Sequence, residues 1–350
     1  MEVHLRRLID GLRAAGDDVE LFTAAGERQG MAKLLDIWDP VARRRLAETA
    51  RRPTPDVVHF HNIARELSAS VLGAVRGAPK VMTFHDHRLL GAPDVSHQPR
   101  LRASLIRATC VLDRRVARRH LDAAIALSRD TALLLARYGF RDVCELGLFA
   151  PVPPEPTTEP GRCHTIVFAG RLAPDKGAAL LGKAFEKIAQ QHPELRLVFA
   201  GEGPERPELE RLAGRWPDRI ELTGRVEEDR VHELMATARL VVAPSSQRLR
   251  PETGPQTVME AALLGRPVIT TEGVPMAALV RASGGGLVVR PDDVDDLARG
   301  LEAFARDPAA ASAAGRAART HAVARHATEV AIPQLRAVYR RLAGHGADVS

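Results

Sequence analysis

The residues with the clearest chemistry lie just after an apolar run. Thr165–Ala169 is predicted to be a buried strand, and it leads through Gly170 to Arg171 and then to Lys176. A helical pattern opens directly after Lys176. Two cations at the carboxyl end of a strand, beside the free N–H groups of a helix start, are suited to a diphosphate. A pair of solvated surface charges is the ordinary alternative.

A second pattern combines two carboxylates with another helix start. Glu252 and Glu260 are separated by seven residues that include Gly254-Pro255, which breaks any helix there. A new helix therefore opens near Thr257, where free N–H groups can hold phosphate oxygens. Glu260, about one turn into that helix, can accept hydrogen bonds from a ribose diol. These features together describe a sugar-nucleotide site, whereas Glu260 alone is an ordinary helix glutamate.

Two histidine pairs, His59-x-His61 and His85-x-His87, stand at the ends of predicted strands. Alternate residues of a strand share a face, so each pair could bind a metal ion. Side chains at strand ends also point into a ligand cleft. We favour the cleft interpretation and expect no metal.

These residues need elements that position them. Short apolar runs alternate with amphipathic helical stretches along the chain, which is typical of parallel sheets covered by helices. We therefore predict an α/β protein with doubly wound parallel sheets. The absence of G-x-G-x-x-G removes the fingerprint of nicotinamide and flavin enzymes. The predicted strands are Val19–Thr23, Val57–His61, Lys80–Phe84, Ala123–Leu127, Thr165–Ala169, Arg196–Ala200, Ile220–Leu222, Leu240–Ala243, Pro267–Thr270 and Gly286–Val289; the clearest helices are Leu180–Gln191, Pro207–Arg215, Val231–Ala238 and Val258–Leu264.

A proline-rich segment marks the domain boundary. Residues 150–161 contain five prolines, which suit neither a helix interior nor a central strand, so we predict a stiff linker at 151–161. The predicted domains are residues 1–150 and residues 162–327. Glu2–Ala15 is predicted to be a helix with no strand before it, and we expect the first strand and glycine turn of that domain to lie upstream.

Composition and charge exclude several classes of protein. The 350 residues are 45% hydrophobic and 27% charged, which is globular rather than disordered. Three cysteines fit a reducing cytoplasm, and no apolar run approaches the roughly 20 residues of a membrane helix. The net charge of +6 lies wholly in residues 1–150. This favours either an ordinary arginine-rich surface or peripheral contact with an anionic membrane or lipid acceptor, and we expect no nucleic-acid partner.

The combined motifs resemble the signature of the retaining glycosyltransferases of family 4. The resemblance covers essentially the whole chain, although each motif alone is a weak signal. The motifs are Val58-His59-Phe60-His61, Thr83-Phe84-His85-Asp86, Gly170-Arg171, Lys176-Gly177, Gly201-Glu202-Gly203-Pro204, Pro244-Ser245, Glu252-x7-Glu260, Gly265-Arg266-Pro267 and Gly286-Leu287.

The resemblance implies a GT-B fold, in which two Rossmann-like domains face each other across a cleft. It implies that the last helical segment, about 328–350, completes the first domain. The implied reaction moves a sugar, with retention at the anomeric carbon, from a UDP-, GDP- or ADP-sugar to a glycan, lipid-linked or small-molecule acceptor. The nucleotide sugar is then a substrate, and neither a cofactor nor a metal is expected.

The resemblance also assigns roles to individual residues. Arg171 and Lys176 would hold the donor diphosphate, Glu260 the ribose, and Glu252 the donor sugar. His85 would meet the sugar or the acceptor from the first domain. The implied catalytic residues are Glu252, His85, Arg171 and Lys176, and the implied donor-binding residues are Arg171, Lys176, Gly201, Val226, Thr257, Val258 and Glu260.

Two alternatives stay open at this point. One is a sugar-nucleotide epimerase on the same fold. The other is a catalytically impaired protein of this fold that binds a nucleotide sugar or a partner enzyme.

Overall fold

The computed structural model describes residues 2–23, 40–51, 54–61, 68–85, 100–246 and 256–345. The chain forms two units. The first contains Met1–Gly147 together with Glu329–Ser350, and the second contains Leu148–Thr328. The proline-rich residues 150–161 therefore belong to the second unit, and the chain returns to the first at its last helix.

Within the part of the chain that the structure describes, each unit contains one sheet, and every strand pairing is parallel. The first sheet has the order β1-β2-β3-β4, and the second has the order β10-β9-β8-β5-β6-β7. The strands are β1 (Val58–His61), β2 (Lys80–Phe84), β3 (Ala123–Ala126), β4 (Val143–Glu145), β5 (Thr165–Ala169), β6 (Arg196–Ala200), β7 (Ile220–Gly224), β8 (Ala238–Ala243), β9 (Val268–Thr271) and β10 (Gly286–Val289).

Helices alternate with these strands. They are α1 (Glu2–Ala14), α2 (Pro40–Thr49), α3 (Arg100–His120), α4 (Arg129–Arg137), α5 (Ala178–Ala189), α6 (Arg206–Arg215), α7 (Glu228–Ala236), α8 (Gln256–Leu263), α9 (Ala277–Ser283), α10 (Val294–Arg306), α11 (Pro308–His326) and α12 (Thr328–His345). Short 3-10 turns lie at Ala69–Gly73, Pro160–Arg162 and Pro174–Lys176. Among the described residues, we find no helix that combines the length and the apolar character needed to cross a bilayer.

The prediction of a strand at Val19–Thr23 is wrong. Residues 17–23 follow α1 without regular secondary structure. A strand exists only through hydrogen bonds to a neighbouring strand, and among the described residues the first sheet ends at β1. Apolar character alone therefore does not make this segment a strand.

The core of the second unit explains its strand pattern. Ile166, Leu197, Phe199 and Leu240 are completely buried, because helices cover both faces of the central strands. Phe185 of α5 packs in the same cluster. Complete burial of each such side chain stabilises the fold by about 1.5–3 kcal/mol relative to exposure.

The last helix closes the first unit through polar contacts. Arg336 of α12 donates two hydrogen bonds to Asp17 Oδ1, at 2.9 and 3.1 Å. Arg341 donates to Asp142 Oδ1 at 2.8 Å, one residue before β4. The Tyr339 hydroxyl is hydrogen-bonded to His59 of β1 at 2.5 Å. The helix α12, at the end of the chain, is thereby linked to the segment after α1, to the residue before β4 and to β1, all of which are far from it in sequence.

Candidate functional site

The order of the second sheet marks where a ligand should bind. β5 lies between β6 and β8, so the chain runs from β5 to one edge of the sheet and then returns to β8 and continues to the other. In parallel sheets the crevice at such a switch point, outside the carboxyl ends of the strands, is where ligands bind. The residues that follow β5 and β8 are therefore the candidates for contact.

The end of β5 is a close backbone contact that only glycine permits. Gly170 N–H donates to Ala200 O at 3.0 Å, and Leu172 N–H donates to Glu202 O at 2.9 Å. Gly201 has a φ of 151°, and a Cβ there would overlap the carbonyl oxygen of Gly170. The Gly201 turn therefore lies directly against the Gly170-Arg171 turn.

The two predicted cations flank the same turn. Arg171 is about half exposed, and its guanidinium contacts Asp175 Oδ2 at 2.6 Å. Lys176 is half-buried at the end of a 3-10 turn. Arg171 can exchange its carboxylate partner for a phosphate, since a guanidinium binds both anions with the same planar donors.

The loop after β8 holds the Lys176 turn in place. Ser246 N–H donates to Asp175 O at 2.9 Å. Gly177 has a φ of 73°, and a Cβ there would overlap the carbonyl oxygen of Pro244. Ser246 is buried, and its hydroxyl is hydrogen-bonded to Asp292 at 3.1 Å. The backbone of the turn that carries Lys176 is thus held between the ends of β5 and β8.

The first turn of α8 faces the end of β5. The Thr257 hydroxyl donates to Ala169 O at 3.1 Å, which ties the start of the helix to the last residue of the strand. Val258 is buried behind it. The N–H groups of the first turn of a helix have no partner within the helix, so this turn can supply donors for an anion. Glu252 lies outside the described residues.

Glu260 lies in the second turn of α8, next to α7. Its carboxylate Oε2 is 3.9 Å from His232 Nε2, and its side chain is only 12% exposed. Glu228 completes a group of three side chains whose ligand atoms all lie within 4.8 Å of one another. Val226, half-buried, precedes α7. Sequence reasoning missed Glu228 and His232, although their spacing of four residues on a helix was a usable signal.

The structure therefore brings most of the predicted donor residues to one sheet edge. Gly201, Arg171 and Lys176 surround the end of β5, and the turn of Thr257 and Val258 contacts the same strand. Two cations and two sets of backbone donors can bind a diphosphate there. A carboxylate one helical turn further can bind a diol.

His85 belongs to a different group, in the first unit. It follows β2, and its Nε2 is 2.9 Å from Nδ1 of His61 on β1. The rings of His4 and His85 are 5.2 Å apart, and those of His59 and His61 are 4.2 Å apart. The hydrogen-bonded ring nitrogens, those of His61 and His85, thus belong to β1 and to the residue after β2 rather than to a single strand. His87 lies outside the described residues.

Burial keeps these histidines neutral. It lowers the pKa of His4 to about 4, that of His59 to about 3 and that of His85 to about 2. The pKa of His61 is also well below its usual value for the same reason. His59 uses both ring nitrogens, with the Tyr339 hydroxyl at 2.5 Å and the Thr83 hydroxyl at 2.8 Å. We call His4, His59, His61 and His85 the histidine cluster.

Comparison with protein families matches both halves of the chain. The model described as Glycosyltransferase Family 4 matches residues 1–145, and the one described as Glycosyl transferases group 1 matches residues 163–307. Together they account for most of the chain.

Individual relatives are distant or match only part of the chain. The chain is similar to the alpha-D-kanosaminyltransferase of Streptomyces kanamyceticus, at 26% identity over 51% of this chain and 45% of that protein. It is also similar to the phosphatidylinositol N-acetylglucosaminyltransferase gpi3 subunit of Schizosaccharomyces pombe, at 34% identity over 44% and 33%. The chain thus spans less than half the length of these two relatives. Among solved structures, Anabaena HepE in complex with UDP matches 86% of this chain and 82% of its own, with a TM-score of 0.68 and 20% identity.

Proposed function

The chain belongs to the family 4 glycosyltransferases and has the GT-B fold, and on that premise we propose that it transfers a sugar from a nucleotide-diphosphate sugar to an acceptor, with retention. The observation that carries the proposal is the switch point of the second sheet. There Arg171, Lys176 and the first turn of α8 converge on the ends of β5 and β8.

The parts of the donor are proposed to lie in a definite order along the carboxyl ends of the strands of the second sheet. The diphosphate takes the two cations and the N–H groups of Thr257 and Val258, and the ribose diol donates to Glu260. The base is proposed to lie against the backbone near Val226. Glu252, which lies outside the described residues, is kept as the proposed contact of the sugar on the basis of its motif alone. Since the implied contacts to the base come mostly from the backbone, the side chains do not identify the base, and UDP is chosen as the first probe because HepE was solved in complex with it.

The charges at this edge suit the chemistry of transfer. Breaking the bond between the anomeric carbon and the phosphate leaves its electron pair on the diphosphate. Arg171 and Lys176 offset that developing negative charge, and preorganised donors of this kind lower the barrier by several kcal/mol. His85 of the first unit is proposed to contact the sugar or the acceptor as a neutral imidazole, since its pKa is about 2.

Replacement of Lys176 by alanine is expected to weaken binding of UDP or the matching nucleotide by about 10- to 100-fold. The loss of a hydrogen bond to a charged group accounts for about 1.5–3 kcal/mol. Calorimetry and thermal stability with UDP, GDP, ADP and their sugar conjugates check this. A ligand at about 100 times its Kd adds about 2.7 kcal/mol of stability.

Lys183→Ala is the matched control. Lys183 lies on α5 and is paired with Glu208 at 3.1 Å, away from the turn of Lys176. Its replacement should leave nucleotide binding unchanged. The proposal fails if the folded chain binds no nucleotide, or if the two variants behave alike. Release of free nucleotide only in the presence of an acceptor then separates transfer from epimerisation or simple binding.

A lipid-linked acceptor is proposed to be reached at an anionic membrane through α3. Leu112 of this helix is 45% exposed, and the exposed Arg115 and Arg119 follow it along the helix, three and seven residues later. An apolar side chain among cations is suited to an anionic lipid surface. The basic charge of residues 1–150 supports this choice.

Reversal of Arg115 and Arg119 to glutamate is expected to weaken binding to vesicles rich in phosphatidylglycerol by at least about 30-fold. Each arginine contributes about 1 kcal/mol at such a surface. Flotation with anionic and zwitterionic vesicles measures this. The double reversal of Arg299 and Arg306, on α10, changes the net charge equally and should have little effect. Equal losses in the two double variants, or no binding by the parent chain, would exclude α3 as the contact.

A further inference from the structure

The group formed by Glu228, His232 and Glu260 offers a second kind of ligand site in the second unit. We propose that these three residues bind a divalent transition-metal ion of the Zn²⁺ type, and that the bound ion excludes the nucleotide. The second half of this inference rests on the proposed function, since it takes Glu260 as the residue that binds ribose. The first half depends only on the geometry of the three side chains.

Two helices bring the ligands together. Glu228 is the first residue of α7 and His232 follows four positions later, so both side chains lie on one face of the helix. Glu260 comes from α8, which runs beside α7 at this point. The arrangement is therefore fixed by regular structure on both sides, which favours a site that exists before the ion arrives.

The distances are close to those of a coordination sphere. Zn²⁺ binds imidazole nitrogen and carboxylate oxygen at about 2.0–2.2 Å, which places tetrahedral ligands about 3.4 Å from each other. Here His232 Nε2 and Glu260 Oε2 are 3.9 Å apart, and all three ligand atoms lie within 4.8 Å. Binding of the ion therefore requires the three side chains to draw closer together than they are in the structure. Three protein ligands leave a fourth position for water.

The ligand types select the ion. One imidazole and two carboxylates form a mixed nitrogen and oxygen set, which suits Zn²⁺ and its neighbours in the first transition row. Mg²⁺ and Ca²⁺ prefer sites made of oxygen alone. Two carboxylates also balance the charge of a divalent ion.

Access to the site is open. All three residues are half-buried, and the His232 side chain is 32% exposed. An ion can enter from solvent, and partial burial strengthens its attraction to the two carboxylates relative to a fully solvated cluster.

Glu260 makes the ion and the nucleotide competitors. Its carboxylate is the proposed acceptor for the ribose hydroxyls, and a carboxylate bound to an ion has lost both the charge and the orientation that a diol needs. Zn²⁺ is therefore expected to act as an inhibitor of donor binding. The ion takes no part in the proposed transfer step.

The metal site is tested by calorimetric titration of Zn²⁺ into the full chain, without an affinity tag, in a buffer that does not chelate the ion. Parent protein should bind one Zn²⁺ that Glu228→Gln and His232→Gln each weaken by about tenfold or more. Glu233→Gln is the matched control, because Glu233 lies on the same helix but pairs with Arg230 at 2.8 Å. Identical titrations for the parent and the Glu228 and His232 variants would overturn the site.

Competition is tested by UDP titrations with and without Zn²⁺. Since the diphosphate itself chelates Zn²⁺, the informative quantity is the difference between parent protein and Glu228→Gln, which keeps Glu260. Zn²⁺ should weaken UDP binding more in the parent. If UDP binds and Zn²⁺ affects both proteins equally, the competition is refuted while the proposed function stands. If the variant-sensitive Zn²⁺ site is present but UDP never binds, the metal site stands and the proposed function fails.

Discussion

A fall in pH from 7 to 5 is expected to remove up to about 8 kcal/mol of stability from the first unit, through its histidine cluster. In the folded chain the pKa values of His4, His59 and His85 are about 4, 3 and 2, and that of His61 is also strongly lowered. In the unfolded chain each histidine titrates near 6.5. Between these limits the unfolded state binds protons that the folded state cannot.

The sign and the size follow from proton linkage. When the unfolded state binds more protons, stability falls as pH falls, by about 1.4 kcal/mol per pH unit for each group. From pH 6.5 to 5 each histidine therefore costs about 2 kcal/mol. The sum of the four is comparable to the whole stability of a typical domain, about 5–15 kcal/mol. Stability is fully present above about pH 6.5 and is lost progressively below it.

Hydrogen exchange of peptides from β1 and β2, with rates corrected for the intrinsic dependence of exchange on pH, reports on the first unit. It therefore separates the loss of stability in this unit from any loss in the second unit. Urea unfolding at pH 7, 6 and 5 gives the free energy. His59→Asn, which keeps polar groups near Thr83 and Tyr339, should reduce the pH slope by about a quarter. A free energy of unfolding that stays constant from pH 7 to 5 would refute the buried neutral cluster.

The sequence predicts the strands of the second sheet well, because the pattern that identifies each strand lies within the strand and the residues next to it. Thr165–Ala169 and Arg196–Ala200 each contain an apolar run that is followed by glycine, and Gly286–Val289 is an apolar run that begins with glycine. The structure has the same bounds for all three. The helix predicted at Val231–Ala238 instead spans Glu228–Ala236, and Ala238 begins β8. Polar residues at the start of α7 carry no apolar periodicity, so the pattern did not reveal the first turn.

Contacts between residues that are far apart in the sequence could not be predicted from the sequence pattern. Val19–Thr23 has the apolar pattern of a strand, but pairing depends on a neighbour that the pattern does not specify. The sequence shows the histidines as pairs along single strands. In the structure β1 and β2 pair His61 with Thr83, and the His61 ring reaches forward to the ring of His85, which follows β2. Likewise, Arg171 and Lys176 are recognisable beside β5, but the hydrogen bonds that fix their turns are made with residues about 30 and about 70 positions later.

Arg239 has a guanidinium that is buried in the second unit. It lies in β8 and is 3% exposed. Its four hydrogen bonds go to carbonyl oxygens: Cys163 at 2.6 Å, Phe304 and Ala305 at 3.1 Å, and Gly161 at 3.2 Å. Burial lowers the pKa of this guanidinium, but arginine stays charged in proteins.

The position of these carbonyls explains why a buried cation is tolerated. Phe304 and Ala305 lie in the last turn of α10, where unpaired carbonyls carry the negative end of the helix dipole. Gly161 and Cys163 lie at the 3-10 turn that leads into β5. The Arg239 side chain therefore donates hydrogen bonds to carbonyls at the end of α10 and links this helix to the 3-10 turn that precedes β5.

Arg239→Met is expected to destabilise the second unit by about 3–5 kcal/mol, because it keeps the aliphatic stem but leaves buried carbonyls without donors. For a unit of this size the thermal midpoint should fall by roughly 10 °C. Arg239→Lys, which keeps the charge but has fewer directed donors, should lose less. Arg299→Met is the matched control, since Arg299 on α10 is exposed and pairs with Asp296 at 2.8 Å. Calorimetry of the three variants decides the matter: an Arg239→Met midpoint close to that of Arg299→Met would mean that water replaces the guanidinium and that this buried cation does not hold the unit together.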